Sequence, residues 1–294
     1  MITNFSFCIV LYKSADVLVP MLQTLASFLQ DGDEVILFDN CPESGDIKIV
    51  EQLREELGIE LRYIPSDNNL GFANACNLMA SECTKPRLVF LNPDTQTSSF
   101  DRTIHKPELI IGPYVFHPNG ERQSSSGSSR SVAREIKMKW LRRFEYNNCG
   151  DHLEYISGVA FSIDRRVFHA LNGFDEQFFM YYEDVDLCLR ARNMGIKTEI
   201  VESWQINHVG GSSANKIKPD TVQRNFDSGL YFHRKNGHCW SLFVVLSVMD
   251  AIVRIPFYLL RFDLDSAKSF FRLIFHIVDR VLQSKKYFGR TPGY

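Results

Sequence analysis

The sequence predicts an α/β fold, with a mostly parallel, doubly wound sheet over residues 1–214 and a helical, basic-amphipathic extension over residues 215–294. Three observations predict it. Short β-rich apolar runs alternate with helical periodicities between residues 5 and 112. Polar residues stand just past several of those runs, at Tyr12, Asp39 and Asp94. After about residue 215 the strand pattern stops, and apolar stretches flanked by Lys and Arg replace it.

The first strand is expected over 5–12 (FSFCIVLY), a short run of β-formers. Leu18, Met21, Leu22, Leu25, Phe28 and Leu29 recur at helical spacing and predict a helix over 15–29. A second strand covers 34–38 and ends at Asp39, a helix covers 47–57, and a third strand covers 60–64. Gly71 opens a helix over 71–80. Residues 87–91 (RLVFL) form a fourth strand ending at Asn92-Pro93-Asp94, and 109–111 supply a fifth. A βαβαβ order of this kind builds a parallel sheet whose ligand lies at the carboxyl ends of the strands. Residues 119–135 (NGERQSSSGSSRSVARE) read as a mobile loop, either ordered by ligand or a plain linker. Strand returns at 158–163, a short helix at 165–171 and strand again at 197–201.

In the extension, residues 239–249 (CWSLFVVLSVM) carry no charge, and Asp250, Arg254 and Pro256 then interrupt the run. A bilayer-crossing helix needs roughly 20 mostly apolar residues, so no span is expected. Phe270, Phe271, Leu273, Ile274, Ile277, Val278, Val281 and Leu282 make a helical stripe flanked by Arg272, Arg280, Lys285 and Lys286. That pattern suits a helix lying in a membrane interface; packing on the main domain or in a homodimer seam is the alternative.

Charge agrees with this division. Residues 216–294 hold thirteen Lys and Arg against six Asp and no Glu, a net charge of +7. The rest of the chain is therefore −9, since the whole is −2. An acidic body excludes nucleic acid as a partner, and a basic, aromatic tail points to an anionic surface such as the inner face of the cytoplasmic membrane. The seven cysteines form no CxxC pair and several lie in apolar runs, which predicts reduced, mostly buried thiols in a cytoplasmic setting. Residues 1–6 lack the basic start of a signal peptide.

The densest chemistry lies in residues 174–190 (FDEQFFMYYEDVDLCLR). Five carboxylates fall between Asp175 and Asp186, interleaved with aromatic rings. Crowded carboxylates repel one another and are tolerated where a cation, a basic partner or a reacting hydroxyl needs them. Val185 and Leu189 repeat at i, i+4, so Glu183 and Asp184 stand where a loop enters a helix; an acidic N-cap is the simpler reading. Asp94, on the tip after an apolar strand, can hold Mg²⁺ or Mn²⁺ against a diphosphate, although Asn-Pro-Asp is also turn chemistry. Asp39 can accept from a pyrimidine N–H or a ribose hydroxyl, again in competition with a turn. Gly71 permits close approach of a phosphate or ribose to a helix start, with Asn74 and Asn77 a turn apart. His208 sits in a glycine-rich segment after the last strand, where a neutral imidazole serves as metal ligand or diphosphate contact, or simply as structure.

In order, FSFCIVLY, VILFDN, NNLGFANACN, VFLNPDT, SGVAFSI, NGFDEQFFMYYEDVDLCLR and HVGGSS resemble glycosyltransferase family 2, the inverting transferases of GT-A (Rossmann-like) fold. The likeness runs from residue 5 to 213 and is strongest to the bacterial rhamnosyltransferase branch. That branch moves L-rhamnose from dTDP-rhamnose to polyprenyl-diphosphate-linked sugars in O-antigen or cell-wall polysaccharide assembly. The resemblance implies that Tyr12 and Asp39 flank the nucleobase and that Gly71, Asn77 and Asn92 line the nucleotide side. It implies Asp94 and His208 as ligands of Mg²⁺ or Mn²⁺, and Gly158 and Tyr182 at the acceptor. Asp184 is then the general base, with Glu183 beside it. A nucleotide-sugar donor, a lipid-linked saccharide acceptor and a peripheral place on the inner membrane follow from the same likeness. The family's metal motif has two acids one residue apart, and here Asn92 replaces the first. A UDP-hexose donor (galactofuranose, glucose or N-acetylglucosamine), a hydrolase or nucleotidyltransferase, and a non-catalytic scaffold are the competing readings.

Overall fold

The structure, a computed structural model, describes residues 4–104, 106–127, 132, 153–209 and 219–287. Strand β1 (Phe5–Leu11) is buried on both faces, as a central strand must be. It pairs in parallel with β2 (Glu34–Asp39) on one side and β4 (Arg87–Leu91) on the other, and β2 pairs in parallel with β3 (Leu61–Pro65). The connections are α1 (Ala15–Ala26), α2 (Asp46–Leu57) and α3 (Gly71–Glu82). This half is the doubly wound sheet the sequence predicts.

The second half turns mixed. Strands β5 (Thr95–Phe100), β6 (Leu109–Phe116), β7 (Arg122–Gln123), β10 (Ala160–Asp164) and β11 (Lys197–His208) complete a nine-stranded sheet of order β3-β2-β1-β4-β10-β6-β11-β5, with β7 on β6. Strand β10 runs antiparallel to β4 and β6, while β6 and β11 are parallel. Two reversals restore direction, so β11 ends at the same edge as β1, β2 and β4. That edge gathers Tyr12, Asp39, the Asn92–Asp94 turn and His208, and β10 starts there beside Gly158. A two-stranded ribbon, β8 (Ser126–Gly127) with β9 (Tyr155–Ile156), and the helices α4 (Arg165–Ala170) and α5 (Glu183–Asn193) complete this unit.

Alternation along the strands divides the core. Phe5, Phe7, Ile9, Leu37, Val89, Leu91 and Ile206 share one face with Leu18, Leu22 and Leu25 of α1 and Val50 and Leu53 of α2. The opposite face carries Phe90 and Phe161, which meet Phe168 and Phe174 ring to ring.

Three local expectations change. Strand β6 runs on to Phe116 and β11 to His208, and β5 joins the sheet although TQTSSF has no apolar alternation. Part of the expected loop 119–135 is strand, at β7 and β8; residues 128–131 and 133–135 lie outside the described residues. The expected boundary at 214 also lies outside them.

Arg87 is a buried cation within β4. Its guanidinium donates to the Ser162 hydroxyl at 2.7 Å and to the carbonyls of Lys106 and Leu109 at 2.6 and 2.7 Å, tying three strands' ends together. Burial pulls its pKa down to about 10, so it stays charged at neutral pH. We expect Arg87→Leu to strip donors from this cluster and to lower unfolding free energy by about 2–4 kcal/mol, read by urea denaturation. An unchanged midpoint would show that water replaces the guanidinium freely.

The second unit contains Val132 and residues 219–287. Helices α6 (Pro219–Lys235), α7 (Trp240–Leu260) and α8 (Leu264–Tyr287) bury Phe226, Leu230, Phe243, Ala251, Phe270, Leu273 and Ile277 together with Val132. Asp227 of α6 accepts from His276 at 2.8 Å and from Arg280 at 2.8 Å, both on α8. The interruptions expected to cut short the apolar run do not end the helix. Arg254 Nε donates to both Asp250 oxygens at 2.9 Å, and this i, i+4 pair lets α7 continue for 21 residues. By length and composition α7 can cross a membrane, with mean hydropathy 1.9 and only 17% of that window buried.

Candidate active site

Tyr12 leaves β1 on a turn held from below: Ser14 Oγ accepts from the Tyr12 N–H at 3.0 Å, and the Ser14 N–H donates to Asp46 at 3.0 Å. Its ring is half exposed on the carboxyl edge. Asp39, in contrast, is fully buried. The Tyr63 hydroxyl donates to its Oδ2 at 2.6 Å and the Cys41 N–H to its Oδ1 at 2.8 Å. Burial and then the Asp39 carboxylate push the Tyr63 hydroxyl pKa well upward, so it remains a donor. Asp39 thus starts as an internally bonded acid beneath the edge, and Tyr12 is the group that faces outward.

The next residue, Asn40, clamps the start of α3. Its Nδ2 donates to the Gly71 carbonyl at 3.1 Å and its Oδ1 accepts from the Leu70 N–H at 3.0 Å. Gly71 has φ +81°, and the space a Cβ would fill holds the Phe179 carbonyl oxygen, 2.3 Å from the Cβ position. The backbone that approaches this glycine closely is therefore the chain's own. Asn77 likewise turns inward: its amide meets both the N–H and the carbonyl of Phe174 at 2.8 and 2.9 Å.

Asn92 and Asp94 follow β4. The Asn92 N–H donates to the Val159 carbonyl at 2.9 Å, which fixes the turn against the entry of β10. One residue earlier, the Gly158 N–H donates to Asp184 Oδ2 at 2.9 Å. These two bonds bring the 92–94 turn, Gly158 and Asp184 into one neighbourhood. Asp184 is half-buried, and its Oδ1 accepts from the Val185 N–H at 2.8 Å. Glu183 also reaches Gly158, with its Oε1 3.7 Å from the place a Cβ there would take, but it is buried. It is 5% exposed, and its charge, after burial, raises the pKa of the fully buried Cys76 thiol. Of the two, only Asp184 is open enough to meet a reactant. Tyr182, ahead of α5, is buried, and both Tyr181 and Tyr182 have left-handed backbones at φ 73° and 67°. A non-glycine residue there costs about 1–3 kcal/mol.

His208 ends β11 opposite Thr95. Its Nε2 lies 3.3 Å from Asp94 Oδ1, and its Nδ1 lies 3.0 Å from Gln123 Oε1. A neutral imidazole that donates from Nδ1 to Gln123 presents its Nε2 lone pair beside Asp94. Two lone-pair donors this close suit a shared cation, which fits a divalent ion. Among the described residues no third His, Cys, Asp or Glu joins them. Gln123, Asn40 and Tyr63 had no signal in the sequence, since isolated polar residues carry no spacing. The Gly210–Gly211 pair lies outside the described residues.

A doubly wound sheet with its polar groups gathered on the carboxyl edge is the plan of α/β nucleotide-binding proteins. Residues 6–171, more than half the chain, match glycosyl transferase family 2, and the chain belongs to that family. Residues 139–210 also match the family described as the N-terminal domain of galactosyltransferase. Among curated proteins the chain is similar to the low-salt glycan biosynthesis hexosyltransferase Agl10 of Haloferax volcanii. The two are 26% identical over 208 residues, 67% of this chain and 64% of that protein. It is also 26% identical over 230 residues to the N-acetylglucosaminyl-diphospho-decaprenol L-rhamnosyltransferase of Mycobacterium tuberculosis, covering 68% of this chain and 74% of that one. The fold is similar to that of the mannosyltransferase PcManGT from Pyrobaculum calidifontis, solved with GDP-Man and Mn²⁺. Its TM-score is 0.59 at 10% identity, over 96% of this chain and 87% of that one. GalNAc-T7, solved with UDP, GalNAc and Mn²⁺, gives a TM-score of 0.58 at 12% identity, over 78% of this chain and 48% of that one. The chain thus spans less than two thirds of the length of the first curated relative. The GT-A-like fold expected from the sequence is the fold found.

Proposed function

We propose that the chain transfers a sugar, with inversion, from a nucleotide diphosphate donor to a hydroxyl of a lipid-linked saccharide. The convergence of Asp184, Gly158 and the Asn92–Asp94 turn on one sheet edge carries this reading. In it, Tyr12 stacks on the nucleobase and Asp39 holds the floor beneath it. Asp94 and His208 hold Mg²⁺ or Mn²⁺, an ion that neutralises charge on a departing diphosphate. Asp184 takes the proton of the acceptor hydroxyl as that oxygen attacks the anomeric carbon. Gly158 lines the acceptor side, the buried Tyr182 supports it from within rather than meeting the acceptor, and Gly71, Asn77 and Asn92 keep the nucleotide wall in place.

L-rhamnose from dTDP-rhamnose is the proposed donor chemistry, supported by the motif resemblance and by the mycobacterial relative's name. The test is a transfer assay with Mn²⁺ and polyprenyl-diphosphate N-acetylglucosamine against dTDP-rhamnose, UDP-galactose, UDP-glucose and UDP-N-acetylglucosamine. Transfer from dTDP-rhamnose alone supports the full reading. Transfer from a UDP-sugar keeps the reaction and discards rhamnose. Sugar released without acceptor points to a hydrolase, and nucleotide binding without any turnover to a scaffold.

The acceptor's lipid gives the second unit a task at the inner face of the membrane. Outward faces of α7 and α8 expose Leu242, Val245, Met249, Ile252, Phe257, Phe271, Phe275 and Leu282. Each such side chain gains about 1.5–3 kcal/mol when fully buried. We expect the full chain to co-sediment with anionic liposomes, and Phe271→Ser with Phe275→Ser to lose most of that binding. Equal sedimentation of both proteins, or none by the wild type at low salt, would make the apolar faces a homodimer contact instead.

A further inference from the structure

The segment carrying the carboxylates is fastened at both ends. At its start Asn77 grips Phe174 by both backbone groups. Farther on, the Phe72 N–H donates to the Phe179 carbonyl at 2.8 Å, with Gly71 leaving the room that this oxygen needs. At its end the Gly158 N–H holds Asp184 at 2.9 Å. Only residues 180–183 join the two anchors at Phe179 and Asp184. Two of them, Tyr181 and Tyr182, take left-handed backbones in succession.

Tyrosine does not favour that conformation, and a tight connection normally places Gly or Asn there. Both left-handed residues lie between the two anchors. The conformation also has a geometric effect, because the Tyr182 carbonyl accepts from the Asp186 N–H at 2.9 Å and so sets the direction in which α5 begins. The first turn of α5 holds Asp184. On the other side, Gly71 is tied through the Asn40 amide to the residue after Asp39.

We propose that the Gly71–Phe179 contact and the left-handed Tyr181–Tyr182 pair form a strained latch that positions the Asp184 carboxylate for its reaction. Gly71, Tyr181 and Tyr182 are then positioning residues, which touch neither donor nor acceptor chemistry themselves. The inference rests on Asp184 as the base.

The test compares Tyr181→Asn with Tyr181→Val in the full chain. Tyr181 is half-buried, whereas truncating the buried Tyr182 would open a cavity. Both substitutions remove the ring, but asparagine accepts a left-handed backbone and β-branched valine resists it. We expect the valine variant to lose kcat by roughly 10- to 100-fold relative to the asparagine variant, as for a small misplacement of a catalytic group. Donor KM and donor affinity should agree between the two. Equal kcat values, or a loss that appears in donor affinity, would overturn the latch. Should the valine variant not fold, Tyr181→Ala against Tyr181→Gly makes the same comparison with less strain. A wild type that transfers no sugar would defeat the reading of Asp184. The strain is then read by melting temperature, where valine must melt below asparagine and equal values overturn it.

Discussion

Asp184→Asn should stop sugar transfer while leaving the nucleotide site intact. The substitution keeps size and shape, and its amide oxygen can still accept the Gly158 N–H that now meets Oδ2 at 2.9 Å. What it removes is the capacity to take a proton, together with the second acceptor, Oδ1, that now meets the Val185 N–H at 2.8 Å. A positioned general base is worth roughly 10²–10⁴-fold in rate, equivalent to about 3–5 kcal/mol of barrier at 1.36 kcal/mol per tenfold. Single-turnover rates measure the loss, and calorimetric titration with the nucleotide diphosphate measures what remains. Unchanged donor affinity with lost turnover assigns the base to Asp184. Weakened donor affinity would move Asp184 to the nucleotide side. The neighbouring acid is the natural control. Glu183 is nearly inaccessible and its charge acts on the buried Cys76 thiol, so Glu183→Gln should act through folding stability more than through the chemical step. The reverse pattern would exchange the two roles.

How far the sequence reveals this site depends on how each residue is set. Tyr12, Asp39 and Asp94 were legible because each stands at the end of a run of strand residues, and parallel strands bring their ends to one edge; His208 stood out by its glycine-rich setting, seven residues past the expected end of its strand. Glu183 and Asp184 were legible because a helical repeat begins at Val185. Gly71 and Asn77 were legible as special positions but not in their use. A glycine at a helix start suggests a phosphate, and only tertiary structure places the Phe179 carbonyl there. Strand β5 was invisible because TQTSSF owes its place to pairing with β11 rather than to an apolar pattern. The continuation of α7 was missed for a related reason. Asp250 and Arg254 read as two interruptions in sequence, whereas four residues apart on a helix they become one neutral pair. In each case the missing term was a partner distant in sequence or one turn away.

The second large effect concerns a residue with no sequence signal at all. Gln123 lies on β7, and its only distinction is the 3.0 Å approach of Oε1 to His208 Nδ1. A neutral imidazole that donates to Gln123 from Nδ1 keeps Nε2, 3.3 Å from Asp94, available to a cation. Among the described residues only two such donors face each other here, and Asn92 supplies no charge where the family carries an acid. Orientation of His208 should therefore matter more than in a site with ligands to spare. Loss of an outer partner of a metal-bound imidazole typically costs about 10–100-fold in metal affinity. We expect Gln123→Ala to shift the Mn²⁺ dependence of nucleotide binding by that amount, measured by titrating the nucleotide diphosphate across a series of Mn²⁺ concentrations. Asp94→Asn should abolish the Mn²⁺ response and leave the metal-free affinity, taken in EDTA, nearly as in the wild type. A Gln123→Ala protein with wild-type Mn²⁺ dependence would reduce that contact to a packing detail. Wild-type binding that ignores Mn²⁺ and EDTA alike would remove the cation from the Asp94–His208 pair, leaving the imidazole itself to face the diphosphate.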